Sequence, residues 1–160
     1  MALRRILRKD DETLYKPSRT VTSFDKRLHV LLDDMAETMR DAKGAGLAAV
    51  QVGVLRRVVV IEGAEGDLLE LINPEIITSE GEQESGEGCL SFPGLYGIVK
   101  RPQKVCVRAC DRFGREFEVE GEEIVARAFC HETDHLDGRV FTEHVTRYID
   151  PEELEAEENG

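Results

Sequence analysis

His131 and His135 stand four residues apart with Glu132 between them, in the stretch FCHETDHLDG at 129–138. On a helix, a spacing of four brings side chains back to the same face one turn on, so both imidazoles can reach one ion. Glu132 lies on the adjoining face, one turn from His135, within reach of a water held by that ion. There it takes a proton from the water and later passes it to a leaving group. The competing reading makes both histidines satisfied residues of an ordinary amphipathic helix. A carboxylate set beside the apolar positions Val125, Ala128, Phe129 and Leu136 speaks against that.

Two imidazoles leave a catalytic site one protein ligand short. Cys130 adjoins His131, but a step of one residue turns it about 100° round the helix, away from the shared face. Cys106 and Cys110 alternate in register on an expected strand, where filling the core is their natural role. Cys89 sits in EGCLS with Gly86, Gly88 and Gly94 nearby, free to be aimed at a site, and on the residues alone its role as a ligand stays open. Gly44, Gly46 and Ala49 in GAGLAAVQ have the spacing of a dinucleotide-binding turn. That segment follows a helix and leads into a strand, the reverse of the required order, and lacks the Lys-Ser/Thr of a phosphate loop. Tight packing of small residues competes as an explanation, but it leaves Gln51 unexplained, an amide suited to holding a carbonyl oxygen.

The elements that must position these groups are readable from periodicity. Phe24, Leu28, Leu31, Leu32, Met35 and Met39 form a helical stripe over 24–42, with Ser23 placed to cap it and Lys43-Gly44 to end it. KGAGLAAVQVGV reads as a small-residue loop before the buried strand RRVVVI, and DLLELINPEI as a strand ended near Pro74. The glycine-rich stretch 81–97 reads as a loop, and KVCVRACD with REFEVEGE as a hairpin about Arg112-Phe113-Gly114. IVARAFCHETDHLDG is the second helix, with Ile124, Val125, Ala128, Phe129 and Leu136 on its apolar side and Gly138 as its stop. Strands and helices segregate, which predicts an α+β fold: antiparallel or mixed sheets packed around a central C-terminal helix that bears the histidines, with an N-terminal helix.

Bulk properties narrow the function. The 160 residues suit one domain, expected over 1–148, followed by an acidic tail at 149–160. A net charge of -12 disfavours nucleic acid and anionic membrane surfaces as partners. No apolar run approaches membrane-spanning length, the N-terminal stretch lacks the pattern of a signal or transit peptide, and four sparsely spaced cysteines suit reduced thiols, so a cytoplasmic location is expected. His29 and His144 match no motif and are expected on the solvated surface.

GAGLAAVQ, EGCLS and HETDHLDG in this order closely resemble the three motifs of peptide deformylases, and the similarity extends over roughly residues 3–140 through ILRKDDETL, LHVLLDDMAETM and LINPEI. The resemblance implies a metal-dependent hydrolase that removes the N-formyl group from the formyl-methionine of nascent chains at the ribosome and releases formate. It makes Cys89, His131 and His135 the ligands of one divalent ion, iron(II) in the cell, with zinc, nickel or cobalt able to occupy the site. Glu132 becomes the general acid and base, Gln51 and the Leu90 N–H the holders of the formyl oxygen, and Gly46 a backbone contact for the peptide. It also pairs Glu87 with Arg101. Three rivals remain: a metallopeptidase, since His-Glu-x-x-His serves many zinc proteases; a diverged relative acting on another small acyl group; and a structural metal module, which needs a fourth donor that Cys130 is badly aimed to supply.

Overall fold

The computed structural model describes residues 2–150 together with 152 and 153. Its centre is the helix α2 (Ile124–Leu136). A five-stranded sheet covers one side of it, in the order β1 (Gly46–Ala48), β2 (Val58–Glu62), β3 (Leu68–Glu80), β6 (Lys104–Cys110), β7 (Glu116–Glu122), antiparallel throughout. A second antiparallel sheet has the order β4 (Gln83–Gly88), β5 (Tyr96–Arg101), β8 (Val145–Tyr148), and its middle strand also packs on α2. Helix α1 (Lys26–Asp41) covers the opposite face of the larger sheet. The fold is therefore α+β with antiparallel sheets around the histidine-bearing helix, as the sequence leads one to expect.

The run VVVIE of β2 explains the layering. Alternation along a strand sends Val59 and Ile61 to a core shared with Val125, Ala126, Phe129 and Leu136 of α2. Val58 and Val60 point to a core shared with Leu28, Leu32, Met35 and Met39 of α1. A strand buried on both faces needs an unbroken apolar run, which this one has. β1 repeats the split in miniature, with Leu47 toward α1 and Ala48 toward α2. Leu14, Phe92, Val99, Val140 and Phe141 form a third cluster associated with the smaller sheet.

Several local expectations need correction. The cap of α1 is Asp25, whose carboxylate accepts the Leu28 N–H at 3.1 Å, and not Ser23. The stretch 44–52 holds strand β1 and a 3-10 turn over Ala49–Val52, so it is more ordered than a loop. β3 does not stop at Pro74 but continues to Glu80. Pairing with β2 ends at Ile72, the register against β6 shifts between Ile72 and Glu75, and Asn73 takes φ 54 while its side chain bonds both the N–H and C=O of Val21. A proline is tolerated at such an irregularity because no ladder donor is required there. The stretch 81–97 is mainly the hairpin of β4 and β5. Two of its glycines lie under large neighbours: a Cβ on Gly88 would stand 2.6 Å from the Tyr96 ring, and one on Gly97 2.6 Å from Val145. Ile124 is exposed, not part of the apolar face of α2. The acidic tail lies for the most part outside the described residues.

Where α2 crosses β7, Gly121 is buried and its missing side chain makes the contact. A Cβ there would lie 2.6 Å from both the Phe129 ring and Val125 Cγ1. Gly121→Val therefore overpacks the joint and is expected to cost about 1–3 kcal/mol. Urea unfolding should show a lower midpoint at unchanged slope; a midpoint equal to that of the unaltered chain would mean that α2 does not rest on β7 this closely.

Candidate metal centre

β4 ends at Gly88, and Cys89 follows it directly into a turn closed by the Phe92 N–H on the Cys89 carbonyl at 2.9 Å. This aims the thiol at α2, where one helical turn brings His131 and His135 to the same face. Cys89 Sγ lies 3.3 Å from His135 Nε2, and the two Nε2 atoms lie 3.2 Å apart. The three donor atoms fall within 4.8 Å of one another. A tetrahedral ion with bonds of about 2.0–2.3 Å sets its donors roughly 3.3–3.7 Å apart, so sulfur and two imidazole nitrogens at these separations fit one divalent cation. Cys130 is buried, lies outside this cluster, and has its thiol pushed up to about 11, chiefly by burial.

Glu87 orients one of the imidazoles. Its Oε2 stands 2.7 Å from His131 Nδ1, which puts the proton on Nδ1 and leaves the Nε2 lone pair facing the other donors. Arg101 donates to both Glu87 oxygens, at 3.1 and 2.8 Å, and Arg127 donates to Oε1 at 2.8 Å. Burial alone would raise the Glu87 carboxyl, but the bonds from His131 and Arg101 outweigh it and hold it well below the usual range. Arg101 also donates to Asp134 at 3.0 Å, and Asp134 in turn lies 3.2 Å from His144 Nε2. His144 is thus a half-buried partner of this network instead of a solvated residue. His29 is likewise engaged, with Nε2 2.8 Å from the Arg112 carbonyl and its ring edge-on to Phe113.

The two imidazoles differ in their surroundings. Burial disfavours charge on His131, yet the Glu132 carboxylate and the Cys89 and Glu87 contacts raise its pKa well above the ordinary value. His135 shifts the other way, through burial and the neighbouring His131 charge. Burial pushes the Glu132 carboxyl up to about 7, with the Glu87 charge adding to it, which is the range useful to an acid and base at neutral pH. Among the described residues, Glu132 Oε1 and His135 Nδ1 have no hydrogen-bond partner.

The remaining expected residues gather round the same cavity of 410 Å³, lined by Gly44, Gly46, Gln51, Cys89, Leu90, His131 and Glu132 among others. His135 lies behind it, fully buried. A Cβ on Gly46 would stand 2.7 Å from Glu132 Oε2, so only glycine lets β1 pass this close to the carboxylate. Gln51 is locked from both ends: its Oε1 accepts the Ala48 N–H at 3.0 Å, and its Nε2 donates to Ser91 Oγ at 3.1 Å with Cys89 Sγ at 3.6 Å. Ser91 and Arg127 escape sequence reasoning. Arg127 did leave a signal, since it stands four residues before His131 on the same face of a helix otherwise poor in surface charge; Ser91 left none.

The family model described as Polypeptide deformylase matches residues 3–149. A peptide deformylase of Caldicellulosiruptor bescii is 56% identical over 155 residues, covering 97% of this chain and 93% of that protein. One from Acetivibrio thermocellus is 57% identical over the same length, covering 97% and 91%. The chain belongs to the polypeptide deformylase family. The crystal structure of a peptide deformylase from Legionella pneumophila superposes with a TM-score of 0.85 at 43% identity, covering 98% of this chain and 92% of that one. Polypeptide deformylases are metal-dependent, and Cys89, His131 and His135 are a donor set of suitable kind and separation.

Arg127 is the second clamp on Glu87, so its loss should be felt at the imidazole that Glu87 orients. Arg127→Met is expected to weaken zinc retention by about 10–100-fold, the range for losing an orienting partner of a ligand. Competition with a chromogenic chelator measures this directly. Retention equal to that of the unaltered chain would mean that Arg101 alone suffices.

Proposed function

We propose that this deformylase-family chain hydrolyses the N-formyl amide of formyl-methionyl peptides, using Cys89, His131 and His135 to hold one divalent ion, Glu132 as general acid and base, and Gln51 with Leu90 as holders of the formyl oxygen. The observation that carries this reading is the convergence of one cysteine sulfur and two imidazoles beside a buried carboxylate and a tethered amide. In the cell we take the ion to be iron(II), with zinc, nickel or cobalt able to replace it. The substrates are new chains at the ribosome, met in the cytoplasm; consistent with this, no helix among the described residues is long and apolar enough to cross a membrane. Residues 1–148 are the catalytic unit in this reading and 149–160 an appended tail.

When bound, the ion supplies Lewis-acid polarisation and brings the pKa of water toward neutrality. The chain's own groups do the rest. Glu132 takes the proton from the attacking water and, as the carbon–nitrogen bond breaks, returns it to the departing amine. Gln51 Nε2 and the Leu90 N–H face the negative charge that grows on the formyl oxygen, and losing such a donor costs about 10²–10³-fold in kcat. The Ala48 and Ser91 contacts keep the Gln51 amide from rotating, so its donor is already aimed before substrate arrives. Gly46 leaves its backbone free beside Glu132 for the peptide's own backbone. A cavity this closely lined admits a formyl carbon, which bears only hydrogen, more readily than a larger acyl group.

The test is anaerobic, metal-loaded protein offered a formyl-methionyl peptide and an unformylated peptide with a cleavable internal bond. Formate from the first alone is expected; cleavage of the second would make the chain a metallopeptidase, and no turnover with stoichiometric metal would make it a structural module. Glu132→Gln should abolish formate release while the protein keeps its metal by elemental analysis. Loss of the metal along with activity would assign Glu132 a ligand's role and remove it from the proton path.

A further inference from the structure

The backbone from Gly46 back to Ala42 joins two cavities. Its Gly46 end lies against Glu132 in the catalytic cavity, and its Ala42 end, with Asp41, lines a second cavity of 570 Å³. Leu90 and Pro93 line both, so the two cavities adjoin across that rim. The opposite wall of the second cavity is the N-terminal segment, which brings Arg4, Arg5 and Arg8 to it. Arg4 is committed, its Nε 2.9 Å from Asp34 Oδ2. Arg5 and Arg8 are exposed and have no ion-pair partner among the described residues. Asp41 is the lining carboxylate, while Lys43 stands on the backbone between the cavities.

Two exposed guanidinium-bearing residues without an ion pair thus line one cavity with a single acid, Asp41. They also lie on a path that a peptide substrate can follow. With its reacting end at Glu132, a peptide that leaves the catalytic cavity over the rim of Leu90 and Pro93 enters the second cavity. We propose that the second cavity is a subsite for aspartate or glutamate side chains of the substrate, downstream of its formyl-methionine, held by Arg5 and Arg8. The proposal rests on the deformylase reading. Guanidinium groups suit the task because they meet a carboxylate through paired, charge-assisted hydrogen bonds. Exposed pairs of this kind also capture more than they hold, so the gain falls on substrate binding and not on the chemical step.

The experiment compares formyl-methionyl heptapeptides that carry aspartate, asparagine or lysine at positions four to six. At low ionic strength the ratio of kcat/KM for the aspartate peptide over the asparagine peptide should be about 3- to 10-fold, carried by KM, and should fall toward one at high salt. Arg5→Glu with Arg8→Glu should bring the ratio to one or below and favour the lysine peptide. Each ratio is read within one protein, so a general change in activity cancels. A ratio near one in the unaltered chain, or one that survives the double reversal, overturns the subsite. A peptide ratio untouched by the reversal alongside weakened binding of single-stranded RNA would assign the cations to nucleic acid and also overturn it. Formate from none of the peptides would instead bring down the deformylase reading itself.

Discussion

Glu87 is the group on which the rest of the site depends. A carboxylate buried without partners is among the most costly things a protein can contain, and this one is 5% exposed. It is stabilised by donors from three side chains: Arg101 of β5, and Arg127 and His131 of α2. Since Glu87 itself belongs to β4, one anion fastens the small sheet to the central helix. The same anion chooses which nitrogen of His131 carries the proton. Structural attachment and orientation of the imidazole are therefore one interaction.

That attachment explains why Cys89 meets His131 and His135, distant from it in sequence. α2 is gripped between the large sheet, through Phe129 and Leu136, and the small sheet, through the Glu87 network. Cys89 is the residue directly after Glu87 and Gly88, at the end of the strand that the network draws against the helix. The thiol is thus delivered to the histidines by the neighbour that orients one of them. A cysteine on a free loop would have to lose that freedom each time an ion bound; here much of the ordering is done by folding.

How much of this was legible in the sequence follows from the kind of signal each element left. His131 and His135 declare themselves because a spacing of four has only one meaning on a helix, and the apolar run of β2 and the β6–β7 hairpin are as plain. β4 and β5 were hidden because Gly86, Gly88 and Gly97 read as loop residues, when each lies where a neighbouring side chain covers the sheet too closely for a Cβ. Pro74 concealed the length of β3 because a proline reads as a strand end unless a bulge is known to receive it. His144 was misjudged and Arg127 passed over for a shared reason: imidazole and charge carry no sign of burial until a buried acid is found to hold them. Buried polar networks are invisible to periodicity, since each member is an exception to the pattern that the others obey.

The close approach of Gly46 to Glu132 unites the remaining features. Burial is what raises the carboxyl of Glu132 to about 7, and burial by larger side chains would also have sealed it from substrate. A glycine on the edge strand β1 resolves the conflict, since it brings backbone within reach of the carboxylate without adding a side chain above it. Glu132 accordingly lines the cavity while only 4% of its surface is open. The same short stretch then turns Gln51 inward through the Ala48 N–H. The small residues of GAGLAAVQ are thus not simply tight packing against a helix: their smallness sets the distance between a buried carboxylate and the backbone edge beside it.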